Sequence, residues 1–187
     1  PGFSSIVGLP KSPYAATKIA ADKMAESYAR SFGMDVLVLR PFNTYGPRQS
    51  FRAVIPTIIG QALRGDTVVL GNTTAVRDFT FVRDTCRAFV FALERTLPAA
   101  STVHLGTGRG VTAKDIVEAI GKVLGRQLRV VVAPERLRPK DSEVEVLISD
   151  PSAASSTLGW SPAVELEEGL ALTVEWFRNE SASGGER

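Results

Sequence analysis

A tyrosine and a lysine, Tyr14 and Lys18, stand four residues apart near the start of the chain. Side chains with this spacing lie on one face of a helix, about one turn apart. A nearby ammonium group favours the charged phenolate, and a phenol that exchanges its proton readily can act as a general acid or base. The pair therefore predicts a proton-transfer site. The alternative interpretation is a surface tyrosine beside a solvated lysine.

Composition limits what else the chain can do. Of its 187 residues, 44% are hydrophobic and 22% are charged, which indicates a folded core and excludes disordered, collagen-like and coiled-coil classes. The net charge of +2 is spread along the chain and predicts no nucleic-acid partner. The single cysteine, Cys86, and the single histidine, His104, argue against a disulfide, a Cys/His metal site and a Ser-His-Asp hydrolase. No apolar run reaches membrane-spanning length and no signal peptide is recognisable, so we expect a cytoplasmic protein without a membrane partner.

The elements that must position the Tyr-Lys pair follow from local signals. Ser12 and Pro13 predict a helix start, and Gly33 predicts its end after Phe32. Thr112, with an acidic residue three positions later, predicts a second capped helix that ends at Gly125. The remaining predicted helices are 52–64, 84–95, a short one over 150–159 and a last one from 166, and the predicted strands are 35–40, 67–70, 78–82, 101–105, 128–132 and 146–149.

Helices and strands thus alternate, which is the pattern of an α/β protein with a mostly parallel sheet. The glycine run Gly106, Gly108 and Gly110 follows a predicted strand, but its spacing differs from that of a dinucleotide-binding turn. Taken alone, it is predicted to be a loop.

Several blocks in order resemble one family. The block SPYAATKIAADKMAESYARSFGMDVLVLRPFNTYGPRQ, followed by VRDFTFV and RPKDSEV, resembles the extended short-chain dehydrogenase/reductase family of NAD(P)-dependent nucleotide-sugar epimerases and dehydratases. The resemblance runs from Ser12 to Asn179 and looks closest to bacterial 4,6-dehydratases of N-acetylhexosamine nucleotides, near the GDP-mannose and dTDP-glucose 4,6-dehydratases. It implies the C-terminal part of a Rossmann-like parallel sheet with helices on both faces, plus a small α/β substrate-binding lobe.

The resemblance also implies roles for residues around the first helix. Tyr14 would be the catalytic acid/base and would also contact the cofactor, and Lys18 would orient the nicotinamide ribose. Pro41 and Asn43 would lie at the cofactor, and Asn43 would also contact the nucleotide-sugar. The segment Tyr45-Gly46-Pro47 would shape the turn there, unless this block is an ordinary Pro/Gly turn.

Arginines complete the implied substrate site. Arg77 would meet the substrate pyrophosphate, since a guanidinium pairs with phosphate oxygens through a planar fork of donors. Arg138 is the second candidate and Arg136 a weaker one, with solvated strand-edge arginines as the alternative. Asp78 and Asp84 are expected to be strand-end and helix-cap residues. LGWSP and the last helix are expected to supply core residues.

The expected organisation follows the family. Residues 1–50 and about 76–110 would form the remnant of the Rossmann-like core, 51–75 and 111–180 the substrate lobe, and 181–187 a frayed tail. Only 13 residues precede Tyr14, too few for the family's cofactor turn, and Ser4 and Ser5 lie too close to be the catalytic hydroxyl. We therefore expect either the C-terminal portion of a longer enzyme or a truncated homologue that cannot bind NAD alone.

The predicted function is NAD-dependent oxidation at C4 of a nucleotide-diphosphate hexose, by a 4,6-dehydratase or an epimerase, with NADP possible and no metal. The alternative is a non-catalytic sugar-nucleotide-binding or scaffold module. The resemblance further implies a homodimer through the first helix, whose small side chains would allow close packing. These are Ala15, Ala16, Ala20, Ala21, Ala25 and Ala29.

Overall fold

The computed structural model describes residues 10, 12–95, 101–136 and 144–182. Within them, helices and strands alternate along the chain. The helices are α1 (Pro13–Phe32), α2 (Val54–Ala62), α3 (Val82–Leu93), α4 (Ala113–Leu124) and α5 (Leu166–Ala182). The strands are β1 (Leu37–Pro41), β2 (Asn43–Tyr45), β3 (Thr67–Leu70), β4 (Val76–Arg77), β5 (Phe79–Phe81), β6 (Ser101–Leu105), β7 (Val111–Thr112), β8 (Arg129–Val132) and β9 (Val146–Leu147).

Capping residues set the ends of two helices as predicted. The Ser12 hydroxyl accepts a hydrogen bond from the N–H of Ala15 at 3.1 Å, and Gly33 ends α1 in the left-handed conformation at φ 65°. At α4, Thr112 and Asp115 exchange hydrogen bonds in a capping box. The N–H and hydroxyl of Thr112 both donate to the Asp115 carboxylate, and these hydrogen bonds lower its pKa.

Strand pairing among the described residues is mostly parallel. The parallel pairs are β1 with β6, β2 with β5, β3 with β8 and β4 with β9, and β4 also pairs antiparallel with β7. Parallel pairs require crossover connections, and the helices supply them here. The predicted α/β class is confirmed.

Some boundaries differ from those predicted. The short strands β2, β4 and β7 were not expected, because two or three residues carry no periodic pattern. Helix α3 begins at Val82, so Asp84 lies inside its first turn instead of capping it. Residues 152–158 form a helical turn whose last part, Ala154–Leu158, is π-helical. Helix α5 extends to Ala182, and the rest of the predicted tail lies outside the described residues.

The described core consists of two apolar clusters. The larger one packs α2, α4 and α5 around β2, β3 and β5. The smaller one joins β1, β6 and α3 to the LGWSP segment, in which Leu158 and Trp160 are fully buried. The Trp160 indole N–H donates to the carbonyl of Asp84 at 2.9 Å. The expectation that LGWSP and the last helix supply core residues is confirmed.

Helix α1 lies on the surface of the described structure. Tyr14, Met24, Tyr28 and Phe32 are all more than half exposed. An ion pair between Asp22 on α1 and Arg40 on β1 connects the helix to the sheet. No described helix combines the length and the apolar character needed to cross a membrane.

Candidate functional site

A cleft of about 500 Å³ opens between β2, the start of α2 and the turn between β3 and β4. It brings together Asn43 and Arg77, two residues that the sequence analysis singled out in separate segments. The other lining residues are Thr44, Gln49, Arg52, Ala53, Val54, Ile55, Thr57, Leu70, Gly71, Asn72, Ala75, Phe79 and Ala113.

The charged side chains that line this cleft are all positive. Arg52 and Arg77 contribute two guanidinium groups, and no aspartate or glutamate is among the described lining residues. Amide side chains and apolar groups such as Leu70 and Phe79 line the remainder. Such a surface favours a ligand with an anionic part and a less polar part.

Two backbone carbonyls, one on β4 and one just before β9, hold the Arg77 side chain in place. Its guanidinium donates to the carbonyl of Val76 at 2.9 Å and to that of Glu145 at 3.4 Å. The side chain is half-buried. These contacts order the guanidinium before any ligand arrives, which reduces the entropy that binding must remove.

The Asn43 side chain is also held in place. Its amide nitrogen donates to the carbonyl of Asp78 at 2.9 Å. Asn43 pairs in register with Phe79 across the β2–β5 ladder, so both residues lie at the same end of the two strands. The fixed amide nitrogen determines where the amide oxygen of Asn43 lies.

Gln49 adds an unsatisfied acceptor. Its amide nitrogen donates to the carbonyl of Thr44 at 2.8 Å, which fixes the amide orientation. Its Oε1 is buried and has no hydrogen-bond partner among the described residues. A buried acceptor without a partner costs free energy, and a ligand hydroxyl or N–H group would satisfy it.

Sequence reasoning missed Gln49, Arg52 and Asn72 as lining residues. Gln49 and Arg52 directly follow the RPFNTYGPR block, and Ala53 at the N-cap of α2 makes no side-chain capping bond. A cation just before an uncapped helix start was the available signal, because both features favour a nearby anion. The Asn72 side chain instead accepts from the N–H groups of Thr74 and Ala75 and orders the turn.

The Tyr-Lys pair lies on α1 as its spacing predicts. The Lys18 ammonium nitrogen is 5.3 Å from the centroid of the Tyr14 ring. Both side chains are exposed, Tyr14 by 71%, and neither lines the cleft. The pair therefore has the predicted helical geometry, but it lies on an exposed surface that is separate from the cleft.

The other predicted site residues have different outcomes. Pro41 is exposed at the end of β1. Arg138 lies outside the described residues, as do Ser4, Ser5 and the side chain of Arg136. The predicted turn residue Tyr45 lies in β2, is fully buried and donates from its hydroxyl to the carbonyl of Leu166 at 3.2 Å. Burial, the largest cause, raises the pKa of Tyr45, and the charge of Asp84 adds to the effect.

The glycine run does not serve as a phosphate cradle in this structure. The N–H groups of Thr107 and Gly108 both donate to the carboxylate of Asp78. A dinucleotide pyrophosphate needs such N–H groups free, so these residues do not fit it. Among the described residues, no cluster of His, Cys, Asp and Glu side chains could hold a metal ion.

A family model described as GDP-mannose 4,6 dehydratase matches residues 8–173, which is most of the chain. The chain belongs to the GDP-mannose 4,6 dehydratase family. This membership confirms the resemblance to nucleotide-sugar dehydratases and epimerases. The cleft, the Tyr-Lys pair, the smaller core cluster and most of the larger one lie within the matched region.

Individual nucleotide-sugar dehydratases and epimerases are also similar to this chain. The dTDP-glucose 4,6-dehydratase of an Actinoplanes species is 34% identical over 170 residues, which cover 90% of this chain and 52% of that protein. The UDP-glucose 4-epimerase of Thermotoga maritima, crystallised with UDP-glucose, is 34% identical with a TM-score of 0.79, over 90% of this chain and 54% of that one. The UDP-glucuronic acid 4-epimerase of Bacillus cereus, in complex with UDP-glucuronic acid and NAD, is 27% identical with a TM-score of 0.85, over 95% of this chain and 56% of that one.

The predicted Rossmann-like class agrees with these structural neighbours of the family. The chain spans about half the length of the curated relatives that it matches. The half that it spans contains the cleft and the Tyr-Lys pair.

Proposed function

We propose that this chain forms the nucleotide-sugar-binding part of an NAD-dependent nucleotide-sugar 4,6-dehydratase or 4-epimerase. The observation that carries the proposal is a cleft with two arginines, three side-chain amides and no acidic lining residue among the described ones. A nucleotide-sugar combines a diphosphate with two polar, partly apolar groups, and this combination matches the lining. Relatives crystallised with UDP-glucose and UDP-glucuronic acid support the ligand class.

Each part of the ligand has a proposed partner. Arg77 and Arg52 bind the diphosphate, because guanidinium groups form charge-assisted hydrogen bonds with phosphate oxygens. Asn43 contacts the nucleotide-sugar through its amide oxygen, and the unpaired Oε1 of Gln49 accepts from a hydroxyl or N–H of the ligand. We propose Arg138 as a further contact to the phosphates.

Replacing Arg77 tests the binding proposal. Arg77→Ala removes a charged hydrogen-bonding group, so we expect a loss of about 1.5–3 kcal/mol in binding free energy. Calorimetric titration with UDP-glucose, dTDP-glucose and GDP-mannose measures it. Arg109→Ala is the matched control, because Arg109 is exposed, pairs with Glu165 and lines a separate cavity of about 240 Å³. Unchanged affinity in Arg77→Ala would show that Arg77 is only structural.

The proposed chemistry begins with oxidation of the sugar at C4. NAD, when bound, supplies the oxidation, and Tyr14 takes the proton of the C4 hydroxyl on its phenolic oxygen. Lys18 stabilises, through its ammonium charge, the phenolate form of Tyr14 that accepts this proton, and it orients the nicotinamide ribose, with Pro41 and Asn43 nearby. In a dehydratase, water would then be lost across C5 and C6 and the hydride would return to C6, whereas in an epimerase the hydride would return to C4 on the opposite face.

Tyr14→Phe tests the catalytic role. In any preparation of this chain that turns over a nucleotide-sugar, we expect Tyr14→Phe to abolish turnover and to leave nucleotide-sugar affinity nearly unchanged. The physical reason is that phenylalanine keeps the ring but has no proton to exchange. Tyr28→Phe is the control, because Tyr28 is an exposed tyrosine of the same helix. A wild-type rate in Tyr14→Phe would refute the assignment.

A second candidate is a non-catalytic nucleotide-sugar-binding module. The observation that favours it concerns the glycine run at 106–110. The N–H groups of Thr107 and Gly108 already donate to the carboxylate of Asp78, so they are not available to a dinucleotide. Separate titrations with NAD and with the three nucleotide-sugars distinguish the candidates. Sugar-nucleotide binding without NAD binding supports the module for the chain alone, and tight NAD binding excludes it.

We also propose a homodimer through α1. This helix exposes Met24, Tyr28 and Phe32, and of its alanines Ala20 and Ala21 are exposed as well. Large exposed apolar patches are typical of interfaces. Light scattering on the wild type and on Met24→Glu tests the proposal. A dimer that dissociates in the variant supports it, and a monomeric wild type contradicts it.

A further inference from the structure

Asp78 is a completely buried carboxylate at the edge of the cleft. It lies between β4 and β5, and its exposed fraction is 0%. No lysine or arginine of the described structure forms an ion pair with it. Removing a carboxylate from water is costly, so its surroundings must compensate the charge by hydrogen bonds.

Two distant segments provide these bonds. Oδ1 accepts from the N–H of Thr107 at 3.0 Å and from its hydroxyl at 2.6 Å. Oδ2 accepts from the N–H of Gly108 at 2.9 Å, and from the N–H and hydroxyl of Ser149 at 3.1 and 2.6 Å. We call Asp78, Thr107, Gly108 and Ser149 the carboxylate clasp.

The glycine run is built around this clasp. A Cβ atom at Gly106 would lie 2.7 Å from Oδ2 of Asp78 and 2.5 Å from Cβ of Ser149, which real side chains do not tolerate. Gly108 has a φ of +73°, a conformation that glycine adopts without strain. Successive N–H groups in such a loop form an anion-binding nest, and its anion here is the Asp78 side chain.

The backbone of Asp78 connects the clasp to the cleft. Its carbonyl accepts the hydrogen bond from the Asn43 amide at 2.9 Å. Its neighbours on either side, Arg77 and Phe79, both line the cleft. A residue whose carboxylate is held by five donor groups therefore lies between two lining residues and fixes a third.

We propose that Asp78 is a positioning residue, whose clasp with Thr107, Gly108 and Ser149 fixes Asn43 and Arg77 in the geometry that binds the nucleotide-sugar. The proposal rests on the function proposed above. The clasp acts through the backbone, and none of its four residues lines the cleft. Its loss lets the β4–β5 junction move, which displaces the Arg77 guanidinium and releases the Asn43 amide.

The test compares two buried carboxylates. Asp78→Asn keeps the shape but places an NH₂ group against the N–H donors of the clasp. Asp84→Asn is the matched control, because Asp84 is equally buried, accepts from the N–H groups of Ala163 and Val164 at 3.0 Å each, and does not line the cleft. Ser149→Ala is a milder variant that removes one donor of the clasp.

Two readouts are needed. Calorimetry with UDP, dTDP and GDP measures affinity, and thermal unfolding measures stability. We expect both aspartate variants to melt earlier, but only Asp78→Asn to bind about tenfold more weakly, which corresponds to about 1.4 kcal/mol. Ser149→Ala should fall between Asp78→Asn and the wild type in affinity. Wild-type affinity in Asp78→Asn, or equal losses in the two aspartate variants, would overturn the proposal.

A ligand-free measurement separates this inference from the proposed function. In ¹⁵N-labelled protein, we expect the Asn43 side-chain amide proton that is bonded to the carbonyl of Asp78 to exchange slowly. We expect Asp78→Asn to accelerate that exchange at least about tenfold and Asp84→Asn to leave it unchanged. If the wild type binds none of the nucleotides, the proposed function fails. Independently of that result, unchanged Asn43 exchange in Asp78→Asn refutes the positioning role.

Discussion

At Gly169, helix α5 packs directly against Tyr45 of β2 and Phe81 of β5. A Cβ atom at this position would lie 2.9 Å from Cζ of Tyr45 and 2.9 Å from Cδ2 of Phe81. Both rings are buried, and the Tyr45 hydroxyl is bonded to the carbonyl of Leu166. We therefore expect Gly169→Ala to force these rings apart and to destabilise the protein.

Three contributions set the size of the effect. Overpacking a filled core costs about 1–3 kcal/mol. Loss of the Tyr45 hydrogen bond adds about 0.5–1.5 kcal/mol. Alanine in a helix interior returns about 1 kcal/mol relative to glycine. The expected net loss in the free energy of unfolding is about 0.5–3.5 kcal/mol, within the range of core mutations.

Gly60→Ala in α2 is the matched control. There the nearest heavy atom to an added Cβ is Cε1 of Phe51 at 3.1 Å, and Phe51 is a half-exposed ring that can move. The higher helix propensity of alanine should therefore dominate in Gly60→Ala. We expect either no change or a gain of about 1 kcal/mol in the free energy of unfolding. Urea unfolding followed by tryptophan fluorescence measures both variants. A Gly169→Ala protein as stable as the wild type, or less destabilised than Gly60→Ala, would refute this account of the packing.

The remaining predictions concern how the free energy of unfolding depends on pH. Burial raises the pKa of Tyr45 above its unfolded value of about 10. The contribution of Tyr45 to the free energy of unfolding is therefore complete below about pH 10. It is lost as the pH rises further, at up to about 1.4 kcal/mol per pH unit. Urea unfolding between about pH 9 and 11 should show this slope in the wild type and a flatter one in Tyr45→Phe; equal slopes would contradict it. At the acid end, the bonds from Thr112 lower the pKa of Asp115, so its contribution is present above its unfolded pKa and is lost as the pH falls through the folded one. Thr112→Val should therefore cost about 1 kcal/mol near neutral pH and less at about pH 2, and a cost that does not change with pH would disprove the link.

Local signals were sufficient for the elements that position the Tyr-Lys pair. Ser12 and Gly33 bound α1, and Thr112 with Gly125 bounds α4, because each cap acts within a few residues of the helix end that it satisfies. The burial of Trp160 also followed from its motif. Such features need no knowledge of distant contacts.

The cleft depends on contacts that no local pattern contains. Asp78 was expected to be a strand-end residue, yet its partners Thr107 and Ser149 lie far along the chain, and nothing in VRDFTF signals them. Gln49 was missed for a similar reason, since its unpaired oxygen is defined only by the groups that surround it in space. Resemblance located Asn43 and Arg77 in sequence, but only the fold brings both into one cavity.

The parallel ladders described above have a consequence for the time course of folding. Strand β1 pairs residue 37 with residue 101, and β3 pairs residue 67 with residue 129, so each ladder closes a long loop of chain. Ladders between distant segments fold slowly, because loop-closure entropy is lost before the contacts form. Residues 67–70 have no β8 partner until residue 129 has left the ribosome, and the clasp must wait for Ser149. The cleft is therefore assembled late in synthesis, after most of its lining residues are already outside the exit tunnel.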